Sequence, residues 1–241
     1  MNLIIDVGNT YIKLAVYSKN KLIKRVSVIQ DEFEQNVQDI FKSYAIDKAI
    51  VSSVGRLPIS AINTLKKDIT LLELNHKTKI PFKNLYATPK TLGVDRIALV
   101  SASVEQFPKN NVLIIDAGSC ITYDFVNTKN EYLGGAISPG IRLRYKALHN
   151  FTANLPLLEK RQPKTITGNS TKTSMHSGVV FGILKEIEGI VNEYKTKYSD
   201  LTVILTGGDA KFLAKRLKSS IFANSNFLLE GLNYILEYNS K

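Results

Sequence analysis

The sequence is poor in cysteine and has no long apolar run. Its one cysteine, Cys120, has no second thiol in the chain with which to form a disulfide, so we expect a protein of the reducing cytoplasm. Cys120 lies beside an apolar strand pattern, and we expect it to pack in the interior rather than to act as a nucleophile. No apolar stretch approaches the ~20 residues that a membrane-spanning helix needs. The first residues lack a basic segment and a cleavage site, so no signal peptide is expected.

Motifs of several nucleotide- and nucleic-acid-binding classes are also missing. The sequence contains no Walker A motif, which argues against P-loop chemistry. The net charge is +11, and residues 142–172 hold seven lysines or arginines against one acid, Glu159, so anionic partners are expected. The basic residues form no dense arm, and the aromatic residues do not alternate with them as on an RNA-stacking surface. Small phosphorylated ligands, or a solvated basic surface, therefore fit the charge better than nucleic acid.

What the sequence does contain is one motif written twice, LIIDVGNT at residues 3–10 and LIIDAGSC at residues 113–120. In each copy an aspartate ends an apolar strand, where its burial is costly unless a cation accompanies it. The glycine two residues later allows a tight turn whose N–H groups are open to an anion. Hydrogen-bond donors or a positive charge follow each turn, at Asn9, Thr10 and Lys13 and at Ser119 and Thr122. Two such turns could bind a metal–polyphosphate, as phosphoryl transfer requires.

The periodicity predicts strands and helices in alternation. Antiparallel strands are predicted over residues 3–5, 11–17 and 21–29, and further strands over 48–52, 69–74, 201–205 and the segments LIID, CITYDFV and YLGGAIS. Helices are predicted over residues 31–44, 57–67, 93–106, 142–149 with the segment that follows, 178–198 and 210–218. The pattern predicts an α/β fold of two similar subdomains, residues 1–110 and 111–241, that face each other across a cleft.

The two D-x-G turns, together with the late turn TGGD at residues 206–209, resemble the nucleotide site of the actin, Hsp70 and sugar-kinase superfamily. That resemblance implies ribonuclease-H-like subdomains, the actin-like ATPase fold. Over the whole chain the sequence resembles type III pantothenate kinases. The motifs that carry the resemblance are D-x-G-N-T-x-x-K at residues 6–13, Y-x-x-P-x-x-L-G-x-D-R at 86–96, D-A-G-[TS] at 116–119, G-G-x-I-x-P-G at 134–140 and T-x-x-x-x-x-S-G-x-x-x-G at 171–182.

The resemblance implies an enzyme that transfers the γ-phosphoryl group of ATP to the 4′-hydroxyl of pantothenate, the first step of coenzyme A biosynthesis. It implies a homodimer, a divalent metal such as Mg²⁺, and K⁺ or NH₄⁺. Asp95 matches the catalytic base, Asp116 the monovalent-cation ligand, and Asp6 a position near Mg²⁺, through phosphate or water. The matched ATP-binding residues are Asp6, Val7, Gly8, Asn9, Thr10, Tyr11, Ile12, Lys13 and Ser119. The matched pantothenate-binding residues are Tyr86, Gly93, Val94, Asp95, Arg96 and Thr171.

The chemistry of single residues leaves other interpretations open. Asp95 in a first helical turn could accept a hydroxyl proton, or it could be a capping acid paired with Arg96. Tyr86 could equally be a half-buried aromatic at a strand end. His176 has no second base or metal ligand beside it in sequence, so we expect a helix residue near a dimer or substrate wall. At the level of the whole chain, the alternatives are a kinase for another small hydroxyl acceptor and a non-catalytic, nucleic-acid-binding transcription accessory protein.

Overall fold

The computed structural model describes residues 1–8, 10–53 and 69–240. The strands are β1 Asn2–Val7, β2 Ile12–Ser18, β3 Lys21–Val28, β4 Lys48–Ser53, β5 Thr70–Glu73, β6 Lys83–Asn84, β7 Val112–Ala117, β8 Cys120–Val126, β9 Glu131–Pro139, β10 Thr202–Thr206 and β11 Phe222–Ala223. The helices are α1 Phe33–Ser43, α2 Val94–Gln106, α3 Ile141–Asn150, α4 Thr171–Lys197, α5 Ala210–Ala214 and α6 Phe227–Tyr238, with short 3₁₀ turns at Gln30–Glu32 and Pro89–Thr91.

The first of two compact units comprises Met1–Pro108, Asn130–Tyr132 and Asn226–Lys241. Its sheet has the strand order β3-β2-β1-β4-β5, with β1 antiparallel to β2 and parallel to β4. Alternate residues of β1, β2 and β4 point to one face, where they pack with α1 in a buried cluster. The intervening residues of β1 point to the other face, where the Asn2 amide donates to Asn233 of α6 at 2.8 Å.

Helix α2 is buried along nearly its whole length, and α6 packs against it. The two backbones lie so close at Gly231 that a Cβ there would be 1.9 Å from the Ala98 carbonyl oxygen. Each fully buried leucine side chain of α6 contributes about 1.5–3 kcal/mol to this packing. The residues of α6 carry no predicted element and fall in the predicted second subdomain, whereas in the structure they complete the first unit.

The second unit comprises Lys109–Lys129 and Leu133–Ser225, with the strand order β11-β10-β7-β8-β9. It repeats the central pattern of the first unit, because β7 is antiparallel to β8 and parallel to β10. The long helix α4 buries Val180, Ile183 and Ile187 against this sheet. Its apolar face therefore lies in the core of the second unit.

Several boundaries differ from the predictions. Helix α4 begins at Thr171 instead of 178, because Ser170 caps it by accepting from the Thr173 N–H. The segment after α3 was predicted to be helical, but turns, bends and irregular backbone occupy 151–170. The expectation of a buried Cys120 was wrong, since it is exposed where β8 leaves the D-x-G turn. The helix predicted over 57–67 lies outside the described residues. Within the described ranges, no helix is long and apolar enough to cross a membrane.

Candidate active site

The first D-x-G turn places a buried carboxylate beside a lysine. Asp6 is 4% exposed and lies opposite Lys13 in the β1–β2 register, with the Lys13 Nζ 3.0 Å from its Oδ2. The Gly8 N–H donates to the Tyr11 carbonyl at 3.1 Å, which closes the turn. The Asp6 carboxylate thus has the cationic partner that its burial requires. Of the other residues predicted to bind ATP here, Val7 and Ile12 are buried, Thr10 and Tyr11 are exposed, and Asn9 lies outside the described residues.

Asp95 lies in the first turn of α2, which begins after Gly93. Its Oδ1 accepts from the Arg96 backbone N–H at 2.8 Å, one of the N–H groups that a helix start leaves without a helical partner. Burial raises the pKa of the Asp95 carboxyl, the Arg96 N–H bond opposes this, and the negative charge of Asp6 raises the pKa further. The structure therefore brings Asp95 within electrostatic range of Asp6, whose carboxylate pairs with Lys13, and it makes Asp95 a stronger proton acceptor than an ordinary aspartate.

The Arg96 guanidinium lies beside two tyrosine rings. It is 5.5 Å from the ring centroid of Tyr86 and 5.9 Å from that of Tyr132, and these two rings stack at 6.0 Å. Tyr132 is fully buried at the start of β9, where it pairs with Asn84 of β6. The Asn84 Oδ1 in turn accepts from the Tyr86 N–H at 2.9 Å. The predicted residues Tyr86 and Arg96 are thus brought together, and Tyr132, which no sequence motif indicated, fixes both.

Replacing Gly93 by alanine should displace the Asp95 carboxylate. A Cβ at Gly93 would lie 2.4 Å from the Asp95 Oδ1, while its backbone angles of φ −58° and ψ 134° suit any residue. The side chain of Asp95 should therefore rotate away at little cost in stability. We expect kcat for a reaction that uses Asp95 to fall about 10–100-fold, the cost of a misplaced catalytic group, in steady-state assays of Gly93→Ala.

The matched control is Gly189→Ala on helix α4. A Cβ at Gly189 meets no atom within 4 Å, so this variant should keep its activity and its thermal midpoint. A Gly93→Ala enzyme with wild-type kcat would show that the orientation of Asp95 does not matter.

The second D-x-G turn lies against the T-G-G-D turn of the same unit. Gly207 has φ +95°, and a Cβ there would be 2.3 Å from the Asp116 Oδ1 and 2.4 Å from the Ala117 carbonyl oxygen. The Asp209 N–H donates to the same Ala117 oxygen at 2.9 Å, and the Asp209 carboxylate pairs with Lys160. Glycine is required at 207 because a side chain would fill the space beside the half-buried Asp116.

These oxygens suit hard cations. Asp116 and the Ala117 carbonyl supply two oxygen ligands of the kind that K⁺ and Mg²⁺ prefer. In residues 1–8, 10–53 and 69–240 there is no group of three or more His, Cys, Asp or Glu side chains that could hold a metal ion alone. That donor set fits a divalent ion bound largely through substrate phosphates and water, as is usual for Mg²⁺.

The remaining predicted residues belong to the second unit. Ser119 is exposed in the D-x-G turn, where its carbonyl accepts from the Gly140 N–H at 3.0 Å. Thr171 is exposed at the first position of α4. The His176 Nδ1 lies 2.7 Å from the hydroxyl of the buried Tyr145, and burial, with the nearby charge of Arg161, lowers the pKa of the imidazole. His176 thus has a structural partner within its own unit.

Comparison with known proteins gives a consistent result. Residues 2–193 match the family model described as type III pantothenate kinase. The type III pantothenate kinase of Christiangramia forsetii is 52% identical over 240 residues, covering 99% of both chains. That of Flavobacterium johnsoniae is 48% identical over 239 residues, covering 99% of this chain and 98% of the relative.

Similar solved structures share the fold at much lower identity. A Campylobacter jejuni protein described as a Baf family transcriptional activator has a TM-score of 0.64 at 22% identity, covering 99% of this chain and 98% of its own. A ROK family glucokinase from Streptomyces griseus, in complex with glucose and AMPPNP, has a TM-score of 0.55 at 9% identity, covering 98% of both chains. These likenesses, with the two mixed α/β sheets, confirm the predicted actin-like fold of two subdomains.

Proposed function

The chain belongs to the type III pantothenate kinase family, and from this premise we propose how its residues divide the work of the reaction. The enzyme is a phosphotransferase that uses ATP to phosphorylate the 4′-hydroxyl of pantothenate, the first step of coenzyme A biosynthesis. Its high identity to pantothenate kinases over the full chain favours this function over another hydroxyl acceptor or a transcription accessory role.

Asp95 is the proposed base for the acceptor hydroxyl. The observation that carries this assignment is the place of Asp95, half-buried in the first turn of α2 with its Oδ1 held by the Arg96 N–H. Desolvation and the charge of Asp6 raise the pKa of its carboxyl. A carboxylate of raised pKa accepts the hydroxyl proton more readily, and its place in the first helical turn fixes its direction. Phosphoryl transfer is largely positioning and charge neutralisation, and we assign the first to Asp95 and the second to Lys13.

Lys13 is the proposed cation for the phosphates of ATP, and Asp6 is the residue that would lie near the divalent ion, through phosphate or water. A bound divalent ion would supply positive charge that neutralises the phosphates. The chain's own contribution is the Lys13 ammonium, which is one-third exposed on a flexible stem. Ser119 is the proposed phosphate contact of the second turn. Asp116, beside the Ala117 carbonyl, is the proposed ligand of K⁺ or NH₄⁺.

Arg96 is the proposed partner of the pantothenate carboxylate. Its guanidinium is buried and held beside Tyr86, so its N–H donors would have a fixed orientation toward a bound carboxylate. Gly93, Val94 and Thr171 are assigned to the same substrate by the family motif. A homodimer and a cytoplasmic location stay predictions from the family resemblance and from the single cysteine.

The test is phosphate transfer from ATP to pantothenate with Mg²⁺, in matched buffers that contain K⁺ or only Na⁺. We expect turnover that needs K⁺, because Asp116 and a backbone carbonyl offer a hard-oxygen site. An Asp116→Asn variant should lose the difference between the two buffers. Turnover equal in K⁺ and Na⁺ would refute the monovalent-cation site, and folded, ATP-binding protein without turnover would refute the acceptor.

A further inference from the structure

Ser52 is a buried serine whose hydroxyl finds no hydrogen-bond partner in the part of the chain that the structure describes. It is 1% exposed, and it lies near the end of β4, directly in register with Asp6 on the parallel neighbour β1. A buried hydroxyl without a partner is costly, and native proteins rarely keep one without a reason. Nothing assigned so far to the active site uses this residue.

Ser52 shares a face of the sheet with the two charged residues of the first D-x-G turn. Asp6 is in register with Lys13 on one side and with Ser52 on the other, so the three form one row across β2, β1 and β4. Their neighbours Ile5, Leu14 and Val51 point to the opposite face, into the cluster that packs with α1. Neighbouring strands lie about 4.8 Å apart, a separation that a hydroxyl–carboxylate hydrogen bond can span after rotation of one side-chain bond.

The Asp6 carboxylate is paired with Lys13, the residue that we propose binds the phosphate of ATP. Its one hydrogen bond within the described residues comes from the Lys13 Nζ, at 3.0 Å. The Asp6 side chain is 6% exposed and the Lys13 side chain 33%, so the lysine reaches the carboxylate from the solvent side. If Lys13 binds phosphate, as proposed above, the buried carboxylate loses that direct hydrogen bond, while the divalent ion acts on it only through phosphate or water. A hydroxyl donor at the same depth, in register with Asp6 on the neighbouring strand, could replace that bond.

We propose that Ser52 is a positioning residue whose hydroxyl donates a hydrogen bond to the Asp6 carboxylate when Lys13 binds the phosphate of ATP. The inference rests on the proposed role of Lys13. The Ser52 hydroxyl has no hydrogen-bond partner among the described residues of the free enzyme, and it gains one when ATP is bound. It holds Asp6 in place while the lysine is shared with the substrate.

Two variants test this, Ser52→Ala and the volume-conserving Ser52→Cys. For Ser52→Ala we expect an unchanged or higher thermal midpoint without ligand, because an unsatisfied hydroxyl is removed. We expect kcat/KM for ATP to fall about tenfold, the loss of one hydrogen bond to a charged group. Cysteine is a weaker donor of similar size, so kcat/KM for ATP in Ser52→Cys should lie between the values of the wild type and of Ser52→Ala. In a Lys13→Met background, Ser52→Ala should add no further loss in ATP binding measured by calorimetry with Mg²⁺.

The matched control is Ser101→Ala on α2, which truncates an equally buried serine whose hydroxyl already donates to the Ile97 carbonyl at 2.8 Å. Its activity should not change. A lower ligand-free midpoint for Ser52→Ala, an unchanged kcat/KM, or additive losses in the double variant would each overturn the inference. Lys13→Met with wild-type ATP affinity would instead refute the role of Lys13 on which the inference rests.

Discussion

Asp95→Asn should lower kcat for pantothenate phosphorylation by about 10²–10⁴-fold, the range for loss of a general base. The amide keeps the shape and the acceptor oxygen for the Arg96 N–H, but it cannot take a proton. Since burial raises the pKa of Asp95, the ionised form is a cost to the folded state, and a neutral amide removes that cost. The thermal midpoint should therefore stay equal or rise while activity is lost.

The dependence of kcat/KM on pH should also report the raised pKa of Asp95. The ordinary aspartate pKa is about 3.9, and the pKa of Asp95 is raised above it. Because only the ionised carboxylate accepts a proton, wild-type kcat/KM should fall as the pH drops through the raised pKa of Asp95. The residual activity of Asp95→Asn should lack this acid limb. Asp39→Asn, an exposed residue of α1 that pairs with Lys42, serves as the control and should behave as wild type. An Asp95→Asn enzyme with substantial turnover and an unchanged acid limb would remove Asp95 from the chemistry.

Gly207→Ala should destabilise the second unit and weaken ATP binding together. The backbone angle of φ +95° costs an L-residue about 1–2 kcal/mol. The added Cβ would also overlap the Asp116 Oδ1 and the Ala117 carbonyl, and overpacking of this kind costs about 1–3 kcal/mol. The free energy of unfolding in urea should fall by about 2–5 kcal/mol. In the protein that still folds, turnover should no longer depend on K⁺, because the added Cβ displaces the Asp116 carboxylate.

The neighbouring glycine provides the control for that result. A Cβ at Gly208 would meet no atom within 4 Å, and the residue has no positive φ. Gly208→Ala should therefore change the unfolding free energy by no more than about 0.5 kcal/mol. Equal losses in Gly207→Ala and Gly208→Ala would mean that the turn as a whole, and not the approach of Gly207 to Asp116, governs stability.

The sequence predicted elements best where periodicity and turn residues agreed. Strands β1 and β2 and helix α2 were found within about two residues, the usual scatter of element ends. Helix α6 carried a signal that the predictions missed, because Glu230, Tyr234 and Glu237 mark one face at helical spacing and the residues between them are mostly apolar. The partition of the chain was harder still, since the packing of α6 on α2 joins segments that are remote in sequence.

Within the site, motifs indicated which residues matter but not their partners. Asp6, Lys13 and Asp95 follow from the D-x-G and L-G-x-D-R strings, and the structure adds that their charges interact. Tyr132 and Ser52 carry no motif. Their importance depends on strand register and ring stacking, which arise only when distant segments meet. The sequence signal nearest to Tyr132 was the G-G-x-I-x-P-G string that begins just after it.

The C-terminal helix α6 also bears on how the protein is made. Synthesis proceeds from the N-terminus, and domains of most multidomain chains complete themselves in that order. Here the residues that cover α2, the helix that bears Asp95, follow the second unit in sequence and leave the ribosome after it. Nearly all of the second unit is a continuous run that emerges before them. The first unit is therefore completed only after the second has emerged, and until then α2 of the nascent chain lacks the helix that covers it.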